Sequence, residues 1–411
     1  MISVLVVDDS VVIRRLVTDA LAEDPEIRVV GTAPNGRVAL AKIEQLKPDL
    51  VTLDIEMPVL DGLGTLRELR PRYPRLPVIM FSTLTAAGAS ATLDALSAGA
   101  SDYVTKPSNV GSFAESRRSV REQLIPRIHA LCERGRRLRR DPAADRPNTS
   151  PAAGGFSFPP ALPGLAGIPR PPRSAPGSPG ASPPTPGRPG VARLDSARGE
   201  SSRSERRRTE QVEVLAIGCS TGGPEALSQV LQALPENLPV PVVVVQHMPP
   251  VFTKMFAERL NRICALEVVE AAGNEQVRSG TVYIAPGDFH LEVVRSGAAV
   301  VTKLQSGPPE NFCRPAVDVL FRSVAKVYGG KVVATVLTGM GQDGRRGAEV
   351  LHAEGAEVVA QDEATSVVWG MPGAITQAGL ADLVLPLPEI ANHLISRATA
   401  TGTARSKEVT R

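Results

Sequence analysis

Cysteine is scarce in this 411-residue chain, and its four copies, Cys132, Cys219, Cys264 and Cys313, lie far apart with no CxxC pair. That spacing argues against both a disulfide framework and a zinc site, and it suits a reducing cytoplasm. Net charge is scarce too. Lys and Arg number 46 against 43 Asp and Glu, leaving +3, which is no global nucleic-acid footprint. No apolar run is long enough to span a bilayer, so direct membrane insertion is not expected. The N-terminus enters a strand pattern with acids at once, lacking the basic start and small-residue cleavage site of a signal peptide. A cytoplasmic location is the expectation.

Proline, by contrast, is plentiful at 37 residues, and its distribution divides the chain. Residues 1–135 alternate short β-branched runs with amphipathic stretches, the pattern of a parallel sheet covered by helices. Strands are expected at 4–7, 28–31, 50–53, 78–81 and 102–105, with helices over 11–22 and 35–45. Residues 136–210 turn to Pro, Gly, Ser, Ala and Arg without apolar periodicity. Such a segment buries too little surface to offset its ordering entropy and reads as a disordered linker. Arginine-rich patches flank it and read as solvated linker ends, the rival being a grip on an acidic partner or a lipid surface. Over 211–397 alternation resumes, with strands expected at 212–217, 241–246, 281–285, 331–337 and 356–360. The run Val242-Val243-Val244-Val245 suits a strand buried on both faces. The fold class is therefore α/β throughout: a doubly wound five-stranded parallel sheet, a linker, and a second doubly wound, mostly parallel domain. Residues 398–411 read as a frayed tail.

In open parallel sheets, functional groups gather at the carboxyl ends of strands. Asp8 and Asp9 follow the first strand, Asp54 ends the third, Ser82 the fourth and Lys106 the fifth. Three carboxylates together require a cation, and an all-oxygen set suits Mg²⁺. The metal and Lys106 would offset charge on a phosphoryl group attacked by one carboxylate, with the Ser82 hydroxyl in reach. One Asp after a strand is usually a cap or a turn; five matching positions in order are not.

The second domain places Gly218-Cys219-Ser220-Thr221-Gly222-Gly223-Pro224 between a strand and a helix. Such a turn cradles an anion on free N–H groups or presents a nucleophile, and the glycines alone do not choose. His247 ends the next strand, in Gln246-His247-Met248-Pro249, and Asp343 closes the turn 338–344 after another. Ser, His and Asp at three strand ends of one sheet could meet as nucleophile, base and orienting acid. His290 is a rival base, and Cys219 a rival nucleophile. Neighbours on a strand face opposite ways, so one of Cys219 and Ser220 should be buried; Ser220, opening the helix side of the turn, is favoured.

These motifs carry two resemblances. Residues 1–125, with Val7-Asp8-Asp9-Ser10, the run 53–62 and Val104-Thr105-Lys106-Pro107, resemble a two-component receiver domain. That resemblance implies Asp54 as phospho-acceptor, Asp8 and Asp9 as metal-site acids with the Glu56 carbonyl as a further ligand, Ser82 and Lys106 as phosphate contacts, and Tyr103 as switch aromatic. Residues 212–387, with 217–224, 246–249, 283–287, 314–321, 337–344 and 361–372, are similar to chemotaxis protein-glutamate methylesterases. The implied roles are Ser220 as nucleophile, His247 as base, Asp343 as orienting acid, and Thr221 and Met340 as oxyanion donors through their N–H groups. Hydrolysis of γ-glutamyl methyl esters and deamidation of glutamines on methyl-accepting chemoreceptors would follow, without a metal in that step. A sensor histidine kinase would phosphorylate Asp54 and relieve blockage by the receiver. The rival readings are a phosphorylation-dependent docking scaffold, against which the intact triad speaks, and a transcriptional regulator, against which the size of the output half speaks. Two departures stand out: Cys219 replaces a small residue, and the linker is longer than a short connector.

Overall fold

The computed structural model describes residues 1–107, 112–140 and 211–400. The first sheet contains β1 (Ile2–Val7), β2 (Ile27–Ala33), β3 (Leu50–Asp54), β4 (Val78–Ser82) and β5 (Asp102–Thr105), all parallel, in the order β2-β1-β3-β4-β5. Helices α1 (Val11–Leu21), α2 (Gly36–Leu46), α3 (Gly62–Leu69), α4 (Ala86–Ser97) and α5 (Phe113–Arg140) alternate with the strands. Their starts follow from sequence chemistry. Ser10, Asn35, Asp61 and Thr85 each accept a bond from an orphan N–H of the first turn. Strand order reverses between β1 and β3, so Asp8 and Asp54 flank the crevice that such a switch point opens. Helix α5 continues to Arg140, so residues 136–140, expected in the linker, are helical. The rest of the expected linker, 141–210, and the tail residues 401–411 lie outside the described residues.

The second sheet has seven parallel strands in the order β14-β13-β12-β6-β7-β9-β8. They are β6 (Val214–Cys219), β7 (Val242–Gln246), β8 (Glu267–Glu270), β9 (Thr281–Ile284), β12 (Val332–Val336), β13 (Glu357–Gln361) and β14 (Leu383–Leu385). A separate antiparallel pair, β10 (His290–Ser296) and β11 (Ala299–Gln305), stands beside it. Helices α6 (Gly223–Gln232), α7 (Phe252–Ile263), α8 (Val317–Tyr328), α9 (Arg345–Ala353), α10 (Met371–Gln377) and α11 (Leu387–Thr399) cover both faces. Central β6, β7 and β12 are buried along their whole length, which is what continuous Val and Ala runs serve.

The two domains pack together. Tyr103 of β5 stacks on Phe252 of α7, ring centroids 4.8 Å apart and nearly parallel. Arg259 of α7 pairs with Asp94 and donates to Ser97 Oγ at 3.0 Å, both on α4. Val368, before α10, is buried in one apolar cluster with Val120, Leu124 and Ile128 of α5. No described helix is long and apolar enough to cross a membrane.

Candidate functional sites

At the carboxyl edge of the first sheet, Asp8, Asp9 and Asp54 bring carboxylate oxygens within 4.8 Å of one another. Lys106 Nζ bridges Asp54 Oδ1 at 2.7 Å and Asp8 Oδ2 at 3.0 Å. Asp54 Oδ2 is buried with no hydrogen-bond partner. Burial, with the Asp8 charge adding to it, pushes the Asp54 carboxyl up to about 6 against the pull of Lys106. An unpartnered carboxylate oxygen beside two further acids is a hard, oxygen-only donor set, and it fits Mg²⁺. Glu56 lines the same cavity of about 240 Å³. Ser82 lines that cavity too, its hydroxyl accepting from Thr92 Oγ1 at 2.7 Å and donating to the Gly88 carbonyl at 3.2 Å on α4. Tyr103 is buried against the second domain, and burial raises its hydroxyl pKa.

In the second domain the β6–α6 turn presents Ser220, half-buried, while Cys219 beside it is buried completely. Burial drives the Cys219 thiol well above its ordinary range, so the neighbour with access to the cavity is Ser220. The turn needs one glycine of its own and one packed against it from the turn after β12. Gly222 has φ +73°, and a Cβ there would lie 2.5 Å from Val367 Cβ; a Cβ on Gly339 would come within 2.9 Å of Ser220 Cβ.

His247 leaves β7 with its backbone N–H donating to Cys219 O at 3.2 Å. Its Nε2 donates to Asp343 Oδ2 at 2.8 Å. Asp343 is itself fixed by the N–H groups of Val317, Asp318 and Gly344 and by Asn311 Nδ2. Burial would lower the His247 pKa, but the Asp343 bond and the nearby Cys313 outweigh it and hold the ring up to about 10. Ser220 and His247 line one cavity of about 330 Å³, yet Ser220 Oγ makes no hydrogen bond among the described residues. His247 Nδ1 faces Cys313 Sγ at 3.6 Å instead. The backbone N–H groups of Thr221 and Met340 likewise find no acceptor among the described residues.

The rival base is placed elsewhere. His290 is buried, its Nδ1 accepting from Ala316 N and its Nε2 donating to Pro308 O, so both ring nitrogens are consumed in holding loops. Sequence reasoning missed three groups. Asn311 ties Asp343 to Asp318 at 2.9 Å each, and Cys313 faces the base. Asp102 of β5, held by Arg127, accepts from Thr221 Oγ1 at 2.8 Å and so reaches the Ser220 turn across the domain boundary. Asn311 and Cys313 directly precede the 314–321 motif, which was the available signal; no local pattern foretold Asp102. The cavity wall also includes Tyr103, Thr105, Gln123 and Arg127 of the first domain, which therefore covers the Ser220 turn.

An acidic phospho-acceptor crevice and a Ser, His and Asp set on a second α/β sheet define a response regulator with a hydrolase as its output half. Comparison with known proteins narrows this. Residues 4–116 match the response regulator receiver domain family and residues 215–394 the CheB methylesterase family. A protein-glutamate methylesterase/protein-glutamine glutaminase of Nocardioides sp. is 52% identical over 396 residues, 96% of this chain and 95% of its own. One from Trichodesmium erythraeum is 45% identical over 394 residues, 96% of this chain and 98% of its own. The crystal structure of the Thermotoga maritima CheB methylesterase catalytic domain is 45% identical, covering 46% of this chain and 99% of that one, with a TM-score of 0.45. The chain belongs to the protein-glutamate methylesterase/protein-glutamine glutaminase family, and it is an enzyme of the hydrolase class with a receiver domain.

Proposed function

We propose that the chain hydrolyses glutamate γ-methyl esters and deamidates selected glutamines on methyl-accepting chemoreceptors in the cytoplasm, and that phosphorylation of Asp54 by a sensor histidine kinase turns it on. The observation that carries the reading is the 2.8 Å bond from His247 Nε2 to Asp343 in a cavity shared with Ser220. With Nε2–H committed to Asp343, a neutral ring has its lone pair on Nδ1. Ser220 Oγ attacks the γ-carbonyl carbon while Nδ1 takes the hydroxyl proton. The carbonyl π pair moves to oxygen, where the free N–H groups of Thr221 and Met340 stabilise the oxyanion. Collapse expels methoxide or amide nitrogen, to which His247 returns the proton, giving methanol or ammonia. Water, deprotonated by the same nitrogen, then attacks the acyl carbon; the acyl–Oγ bond breaks, His247 returns the proton to Ser220 Oγ, and the receptor side chain is left as a glutamate carboxylate.

Regulation is read from the interface. Asp102 and Tyr103 sit on β5, whose far end leads to Lys106 at the acceptor, so a change at Asp54 and a change at the Ser220 cover share one strand. Mg²⁺, held by Asp8, Asp9, Asp54 and the Glu56 carbonyl, would offset charge on the incoming phosphoryl oxygens. The unphosphorylated, closed form is the slow one, because its His247 lacks the serine hydrogen bond. Methanol release from methylated receptor, with and without a small-molecule phosphodonor, tests both parts. Ser220→Ala is expected to lose about a thousandfold or more in rate, and Asp54→Asn to keep the basal rate without response to the donor. Methanol release by Ser220→Ala at the wild-type rate would end the triad assignment, and equal wild-type rates with and without donor would end the switch.

A further inference from the structure

The thiol of Cys313 has no part in the chemistry above, yet it stands 3.6 Å from Nδ1 of the base. Cys313, His247 and Asp343 offer ligand atoms that all lie within 4.8 Å of one another. We propose that Cys313 and His247 bind a thiophilic divalent ion of the Zn²⁺ class, and that the ion silences the hydrolase by occupying the lone pair of the base.

The geometry suits such an ion. Bonds of about 2.3 Å to sulfur and about 2.0 Å to nitrogen at a tetrahedral angle span about 3.6 Å between the two ligand atoms. Asp343 acts from the outer shell: its oxygens already accept from Val317, Asp318, Gly344 and Asn311, and its bond to Nε2–H leaves Nδ1 as the donor nitrogen. Ligand softness separates this site from the acidic crevice, since thiolate with imidazole selects zinc-like ions while carboxylates take Mg²⁺. A cavity of about 330 Å³ leaves room for waters to complete the coordination. Cys313 is half-buried, unlike the core residue Cys219. Binding displaces the thiol proton and, from a charged ring, the Nδ1 proton as well, releasing up to two H⁺ with no change of oxidation state. The silencing, though not the binding, rests on His247 being the base.

The full-length chain, with excess Mg²⁺ filling the acidic crevice, is titrated with Co²⁺ as a coloured stand-in for Zn²⁺. Wild type is expected to show near-ultraviolet thiolate-to-Co²⁺ charge-transfer absorption that Zn²⁺ displaces, and Cys219→Ala and Cys264→Ala to retain it. Cys313→Ser, an isosteric change whose folding is checked by its thermal melt, is expected to lose the band and to bind Zn²⁺ about tenfold or more weakly. Zn²⁺ is expected to stop wild-type ester hydrolysis reversibly with chelator while sparing Cys313→Ser. Absence of the band in wild type, or its persistence in Cys313→Ser, overturns the site. Binding without loss of hydrolysis overturns the silencing. A fully active Ser220→Ala that keeps the band sinks the triad and leaves the ion site standing.

Discussion

His247 shows how two neighbours can override the effect of burial on a side chain's charge. Its ring is enclosed, which disfavours charge, yet the Asp343 carboxylate and the Cys313 thiol favour it strongly enough to hold the pKa up to about 10. Those two partners therefore favour the charged ring. Because the folded value exceeds the ordinary one near 6.5, the group's contribution to stability is fully present below about pH 6.5. It is lost as the pH rises through about 10. Asp343→Asn removes one of the two raising partners and leaves burial opposed by Cys313 alone, so the His247 pKa is expected to fall from about 10. An NMR titration of the imidazole C–H resonances reads this directly; an unmoved midpoint would detach Asp343 from the ring.

At the scale of elements, the β6–α6 turn depends on Gly222. Its positive φ is strained for any L side chain, and the Val367 contact leaves no room for a methyl. Gly222→Ala is expected to cost about 1–3 kcal/mol, seen as a lower denaturation midpoint, together with reduced hydrolysis because Ser220 shifts with its turn. An unchanged midpoint would show that the turn relaxes freely. This turn was legible beforehand, since strand, glycine run and helix leave a strong local pattern. So were the five strands of the first sheet and the central strands of the second, whose Val-rich runs are buried on both faces. Edge elements were not. β8 carries Glu at both ends, and β14 is three residues long, so neither offers a continuous apolar run. The β10–β11 pair lies outside the parallel sheet that the alternation implied. The site divides the same way. Ser220, His247 and Asp343 each sit in a recognisable motif, Cys313 and Asn311 only border one, and Asp102 reaches the turn through a contact between domains that spacing does not encode.

At the scale of the whole molecule, the long 136–210 segment suggested a loose connection between the halves, yet the receiver packs its β5 and α5 side over the Ser220 turn. The contact is mixed. Thr221–Asp102 is a buried polar bond, Arg259–Asp94 an exposed ion pair worth little in water, and Tyr103–Phe252 a stacked aromatic pair. The stack is the contact most directly tied to Asp54, because Tyr103 lies on the strand that leads to Lys106, the partner of Asp54. Such pairs contribute about 0.5–1.5 kcal/mol beyond the area they bury. Removing one from a closed state that dominates the population shifts the open fraction by about two- to tenfold. Tyr103→Ala is therefore expected to raise basal ester hydrolysis by that factor without a phosphodonor and to shrink the further gain on phosphorylation. Steady-state methanol release with and without donor measures both. A basal rate that stays at the wild-type level while the variant remains folded would mean that the stack does not hold the receiver over Ser220, and the burden of closure would pass to Asp102 and the apolar contact between α5 and Val368.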